Sequence, residues 1–221
     1  MSVKQKLLFL LLLLIVSISY SLGQTIDKEC LFDQFQKGKV MFTDGKTAER
    51  LFNYNMVAEK LLYLSEDSTV MELIHPETVV FLKVDDRTFE HIKNGVLYER
   101  VSAGKSSVFY IRWRKTMLSE TRKGPYGTDS PTGNISNISH IYSPSGNVIK
   151  LKKDHDYTIT PDNAYFLKVK KTFKRLSSVN DLAKFFKGHE KSIKKYAKDE
   201  NIKFDHPQDI KRIIAYCEQL Y

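Results

Sequence analysis

Between Lys39 and Trp113, short runs rich in branched and aromatic residues alternate with turn signals. The runs are KVMFT, RLFNY, KLLYL, TVMEL, TVVFLKV, TFEHI, VLYERV and VFYIRW. The punctuation falls at Asp44-Gly45, Asn53 to Asn55, Glu66 to Ser68, His75-Pro76, Asp85-Asp86, Asn94-Gly95 and Ala103-Gly104. Turn signals recurring roughly every ten residues predict an antiparallel meander folded as a sandwich or barrel. Asp-Gly and Asn-Gly are the strongest of them, because a two-residue hairpin loop needs positive φ at both positions. In TVVFLKV, Val79 and Phe81 fall on one alternating set and Val80, Leu82 and Val84 on the other. Such a strand calls for cover on both faces, which the C-terminal part is expected to supply.

Further strand-like pieces lie near Ile138 to Tyr142, Val148 to Leu151, Tyr157 to Thr160 and Ala164 to Val169. The period then changes. Ser178 with Asp181 three residues on is a capping-box variant that opens a helix, with Leu182, Phe185 and Phe186 inward and Gly188 as its stop. A second helix places Ile193, Tyr196 and Ala197 inward and Lys191, Lys194, Lys195 and Lys198 outward. A third starts at Asp205 as N-cap with Pro207 in its first turn, and carries Ile210, Ile213, Ile214 and Cys217 on one face. The expected class is α+β, an antiparallel β domain over residues 24–175 followed by a small helical cap over 176–221.

Residues 1–23 have the form of a secretory signal peptide: Lys4 and Lys6, an apolar run from Leu7 to Val16, then small residues with cleavage expected after Gly23. The run is too short to span a bilayer, which needs about 20 apolar residues. Gln24 stands where a lipoprotein would need cysteine, so an exported, unanchored product is expected. Loss of Lys4 and Lys6 lowers the formal charge from +9 to +7. Much of the charge sits in residues 166–198, where eleven Lys or Arg face Asp181 and Glu190 alone. Export argues against intracellular nucleic acid as the partner of this stretch. Lys191, Lys194, Lys195 and Lys198 are instead candidates for docking on an anionic envelope surface, with another envelope protein as a further partner class.

Candidate chemistry is sparse. No H-E-x-x-H or C-x-x-C pair marks a metal site, no glycine-rich phosphate loop precedes a helix, and no cofactor is indicated. Cys30 and Cys217 are candidates for a disulfide in an oxidising compartment. Trp113, at the end of a strongly apolar run, reads as core, with a sugar-stacking platform as its functional alternative beside Tyr126. Tyr126 lies in KGPYGTDSPTG, a loop shaped by Gly124-Pro125 and Ser130-Pro131, and is a ligand-binding candidate. The reading that emerges is a non-enzymatic binding module. A hydrolase of envelope polymers would require Asp154, His155, Asp156, His140 and Tyr126 to converge in part. A carrier of an apolar ligand would require small inward residues, whereas Phe42, Tyr63, Phe81 and Trp113 are large.

Several stretches, KGKVMFTDGKTAERLFNYN at 37–55, YGTDSPT at 126–132, NVIKL at 147–151, IKKYAKDENIKF at 193–204 and DIKRIIAYC at 209–217, resemble an uncharacterised family of exported Bacteroidetes proteins. The resemblance implies a periplasmic or outer-surface location in a Gram-negative envelope. No catalytic or binding residues come with it.

Overall fold

The computed structural model describes residues 27–103, 107–119, 140–150, 157–169 and 171–220. The expected signal peptide, the loop carrying Tyr126, and Asp154 to Asp156 lie outside the described residues. The chain is α+β. Its strands are β1 (Gln36–Phe42), β2 (Thr47–Asn55), β3 (Lys60–Leu64), β4 (Val70–Glu72), β5 (Val79–Val84), β6 (Arg87–Lys93), β7 (Val96–Ala103) and β8 (Ser107–Arg112). They continue as β9 (Lys115–Ser119), β10 (His140–Tyr142), β11 (Val148–Lys150), β12 (Tyr157–Pro161), β13 (Ala164–Val169) and β14 (Thr172–Leu176). Ten of these form one sheet in the order β14-β13-β8-β7-β6-β5-β1-β2-β3-β4, with antiparallel pairing throughout. β9 and β12 pair as a ribbon that prolongs β8 and β13, and β10 and β11 form a separate hairpin.

The sheet is strongly curled. Val40, Phe52, Tyr54, Leu61, Val79, Leu82, Val84, Phe89 and Leu97, drawn from β1, β2, β3, β5, β6 and β7, share one buried cluster on its concave side. Leu31 and Phe32 pack into that cluster. Their segment is held by the end of β2: Leu31 N–H donates to Tyr54 O (2.9 Å) and Met56 N–H to Glu29 O (2.8 Å). The curl brings the start of β9 against the same place, where Lys115 N–H donates to Met56 O at 3.0 Å. A β-bulge contributes. Met41 pairs with Phe81 and Phe42 with Val79, so Val80 is the extra residue and Val79 turns inward with Leu82 and Val84. Cover for β5 therefore comes from the curl itself, a correction to the expectation that the C-terminal part would lie over it.

The cap lies over β8, β13 and β14, where Phe109, Ile111, Tyr165, Leu167 and Leu176 form a second buried cluster with the helices. These are α1 (Val179–Ala183), α2 (Glu190–Asp199) and α3 (Pro207–Gln219). Ser178 Oγ accepts Asp181 N–H, while Asp181 accepts the N–H of Ser177, one residue before the cap, a shifted form of the capping box. α1 nevertheless stops at Ala183, short of Gly188, and Phe186 is buried from the turn that follows. α3 is capped by His206 rather than Asp205, because Pro207 occupies the first helical position. Asp209 accepts Lys203 N–H instead.

The turn expected at Asn53 to Asn55 is also displaced, to the residues between Asn55 and Lys60. Asn53 bonds the backbone of Phe32 in both directions, and Asn55 Oδ1 accepts Val57 and Ala58 N–H, so both asparagines serve the strand rather than interrupt it. Gly38 marks the tightest approach in the curl. A Cβ there would lie 2.8 Å from Lys83 O, 2.9 Å from Val84 Cγ2 and 3.0 Å from Phe52 Cδ2. Gly38→Ala is expected to cost about 1–3 kcal/mol by overpacking. Urea unfolding should show this as a lower midpoint at unchanged slope.

Candidate functional site

A deeply buried charge belongs to Glu99, 3% exposed on the concave side of β7. It is held in a fork: Arg87 Nε donates to Oε1 at 3.1 Å and Arg87 Nη2 to Oε2 at 2.8 Å. Trp113 Nε1 donates to Oε2 at 2.6 Å, and Lys211 Nζ of α3 stands 3.5 Å from Oε1. The Arg87 guanidinium lies 5.1–5.2 Å from the ring centres of Phe32, Phe89 and Trp113. Its described partners come from β6, the β8–β9 junction and α3, so the constellation joins these elements. A second ion pair, Arg112 to Glu59 at 2.5 and 2.6 Å, fastens β8 to the turn between β2 and β3.

A polar cluster occurs where the β10–β11 hairpin covers the end of β2. Glu29, 1% exposed, receives Asn55 Nδ2 at 3.2 Å, and His140 Nδ1 lies 3.3 Å from its Oε2. His140 Nε2 is 4.0 Å from Asp27 Oδ2. The hairpin is further docked on β4 through Glu72 N–H to Gly146 O (2.7 Å) and a Met71–Asn147 bridge. Lys60 pairs with Glu72 at 2.5 Å and stands over the Tyr142 ring. Burial among these carboxylates pushes the Tyr142 hydroxyl well above its ordinary range, and burial lowers the Lys115 ammonium. The arrangement resembles acid–base machinery in composition, yet His140 is only 7% exposed. Its geometry serves to latch the hairpin.

An open recess of about 410 Å³ lies at the rim of β2 and β3, lined by Arg50, Tyr63, Ser65, Glu66 and Asp67. Register explains the grouping. Phe52 pairs with Tyr63, so Arg50 and Ser65, each two residues further on, share their face just beyond the filled core. Hydrogen bonds from Ser65 and Thr69 hold the Asp67 carboxyl below the usual carboxylate range. Sequence reasoning overlooks this recess because its polar residues read as turn and surface. The available signal is Arg50 and Tyr63 falling on one alternating set of a hairpin.

Of the residues singled out from sequence, Trp113 is half-buried between the two cores and bonded to Glu99. The structure thus places it as an internal strut, and Tyr126 lies outside the described residues. Lys191, Lys194, Lys195 and Lys198 are all exposed on α2, while Ile193 and Ala197 are buried. Cys30 and Cys217 are not joined to one another in this structure. Cys30 sits opposite Asn55 at the meander's end, whereas Cys217 is 0% exposed within the cap. Among the described residues no group of three or more His, Cys, Asp or Glu side chains is arranged to hold a metal ion. No helix among them is long and apolar enough to cross a membrane.

Burial pushes the Cys217 thiol up to about 12, so at neutral or mildly alkaline pH almost none of it is the nucleophilic thiolate. Native protein treated with a thiol-reactive dye at pH near 8 is expected to leave Cys217 unlabelled until denaturant is added; rapid native labelling of Cys217, read by peptide mass, would contradict its place in the core. No protein-family model, curated protein or solved structure matches this chain, so its function has to be argued from the groups described above.

Proposed function

We propose that this chain is an exported, non-enzymatic binding module of a bacterial envelope that docks on anionic surfaces through its helical cap. The observation that supports this is the outer face of α2. Ile193 and Ala197 fix one side of the helix in the cap core, and Tyr196 stacks on Tyr216 of α3 with ring centres 4.1 Å apart. Lys191, Lys194, Lys195 and Lys198 project on a rigid scaffold, and none of the four pairs with an acid among the described residues. Glu190, at the start of the helix, is occupied with Gly188 N–H.

Near an anionic leaflet each such lysine contributes about 1 kcal/mol at low salt. Four of them give about 4 kcal/mol, an affinity of about a millimolar, which makes attachment reversible and salt-sensitive. The concave side of the sheet is filled by Phe52, Leu82, Val84 and Phe89, which favours binding at the surface over carriage of an apolar ligand inside. For the hydrolase alternative, His140 is enclosed by Glu29 and the hairpin, and its other four residues lie outside the described residues.

Cosedimentation with phosphatidylglycerol-rich vesicles tests the proposal. Binding is expected at low salt and release at about 0.5 M, where the Debye length has shrunk to a few ångströms. Replacing the four lysines by glutamine should remove nearly all of this affinity, a loss approaching about a thousandfold. Equal binding by that variant would remove the cap from the mechanism.

A further inference from the structure

We propose that the recess at the rim of β2 and β3 is a binding site for a neutral saccharide of one or two rings. This rests on the binding-module reading and gives it a ligand class. The recess, about 410 Å³, falls in the range of small-molecule sites, roughly 300–1,000 Å³. Its wide opening suits a ligand that remains partly in water, as a polyhydroxylated ring does.

The lining supplies both halves of sugar recognition. A pyranose has an apolar face of C–H groups and a rim of hydroxyls. Tyr63 provides the complementary ring, whose electron-rich face attracts the positive ends of C–H bonds. The ring is already placed, because Tyr63 is partly buried against the concave core beside its cross-strand partner Phe52, so little side-chain freedom is lost on binding. Around it stand a guanidinium, two carboxylates and a hydroxyl, which together donate to and accept from neighbouring sugar hydroxyls. Ser65 and Asp67 are oriented before any ligand arrives, while Glu66 extends into solvent. Arg50 Nη1 donates to Glu49 O at 2.9 Å, and its Nη2 reaches Glu66 Oε1 at 3.5 Å, leaving other N–H groups for a ligand. Ser65 Oγ donates to Asp67 and receives Thr69 N–H at 3.1 Å, which fixes the turn carrying both.

The same inventory excludes other occupants. Two carboxylates outweigh one guanidinium, so a polyanion is repelled here, in contrast to α2. An apolar ligand would face three charged side chains out of five, with hydroxyls on the other two. A hard cation would need about six oxygens, and the recess offers two carboxylates and a hydroxyl without a third acid.

Saturation-transfer NMR with the mature protein and a panel of cellobiose, maltose, mannobiose and N,N′-diacetylchitobiose tests the site. At least one disaccharide is expected to receive saturation, strongest at its ring C–H protons. Tyr63→Leu, which keeps an apolar side chain but no ring, should abolish the signal. Arg50→Ala, at an exposed position that the core does not use, should weaken binding by about tenfold, the loss of one charged hydrogen bond. The four-lysine variant of α2 should bind the sugar as wild type does, and Arg50→Ala should bind vesicles as wild type does. Either reading can therefore fall without the other. Absence of transfer to every panel member at about 10 mM, well above the concentration a millimolar site requires, would overturn the proposal. So would an undiminished signal in both Tyr63→Leu and Arg50→Ala, or binding of a sulfated polyanion at this recess in place of neutral sugars.

Discussion

The structure turns on one buried carboxylate. Glu99 lies where the curled meander meets the helical cap, and it holds a group from each side: Arg87 of β6, Trp113 at the β8–β9 junction, and Lys211 of α3. A charge so deep in the fold is tolerable only when it is paired and fully hydrogen-bonded. Here the guanidinium fork meets both oxygens, and aromatic rings surround the arginine in turn. Removing one partner of such a pair typically costs about 3–5 kcal/mol, because it strands the other charge. That is a large share of the total stability of a domain this size, about 5–15 kcal/mol. Trp113 packs against both cores, so the contact couples them mechanically as well as electrostatically.

The curl that Glu99 helps to hold decides where ligands can meet the protein. Filling the concave side with Phe52, Val84 and Phe89 leaves its rim as the place where a partly covered aromatic, Tyr63, stands next to polar groups. The cap, fixed on the same side of the sheet, turns its own apolar stripe inward and thereby presents its lysines outward. Two chemically opposite surfaces follow, a basic helix face and a slightly acidic recess. The proposed attraction to an anionic surface and the proposed recognition of a neutral sugar therefore fall on separate faces.

How much of this is legible in the sequence depends on the range of the interaction. Asp44-Gly45 and Asn94-Gly95 announce hairpins because positive φ is a local demand, and Gly45, Asn94 and Gly95 do take it. Ser178 with Asp181 announces a helix start for the same reason, and Ile210, Ile213, Ile214 and Cys217 announce its buried face. Asn53 and Asn55 mislead, since the backbone groups they satisfy belong to Phe32 and to the following turn and only the fold brings Phe32 near. The bulge at Val80 reverses the facing of Val79, which no alternation count reveals. β14 is missed because its lysine and arginine mask a five-residue strand. Glu99 does leave a trace: in VLYERV it occupies the inward set with Leu97, where a carboxylate requires a partner. His140 leaves none, as its acid partners precede it by more than a hundred residues.

The dependence of both halves on Glu99 can be tested by unfolding the wild-type protein in urea with two probes. Trp113 is the only tryptophan and touches Glu99, so its fluorescence reports the junction. The described α-helices all belong to the cap, so circular dichroism at the helical minimum chiefly reports the cap. The two signals are expected to change with one midpoint and one slope, as a single cooperative unit requires. Loss of the helical signal at lower urea than the tryptophan signal would show that the cap stands apart from the meander, and would contradict the role assigned to Glu99.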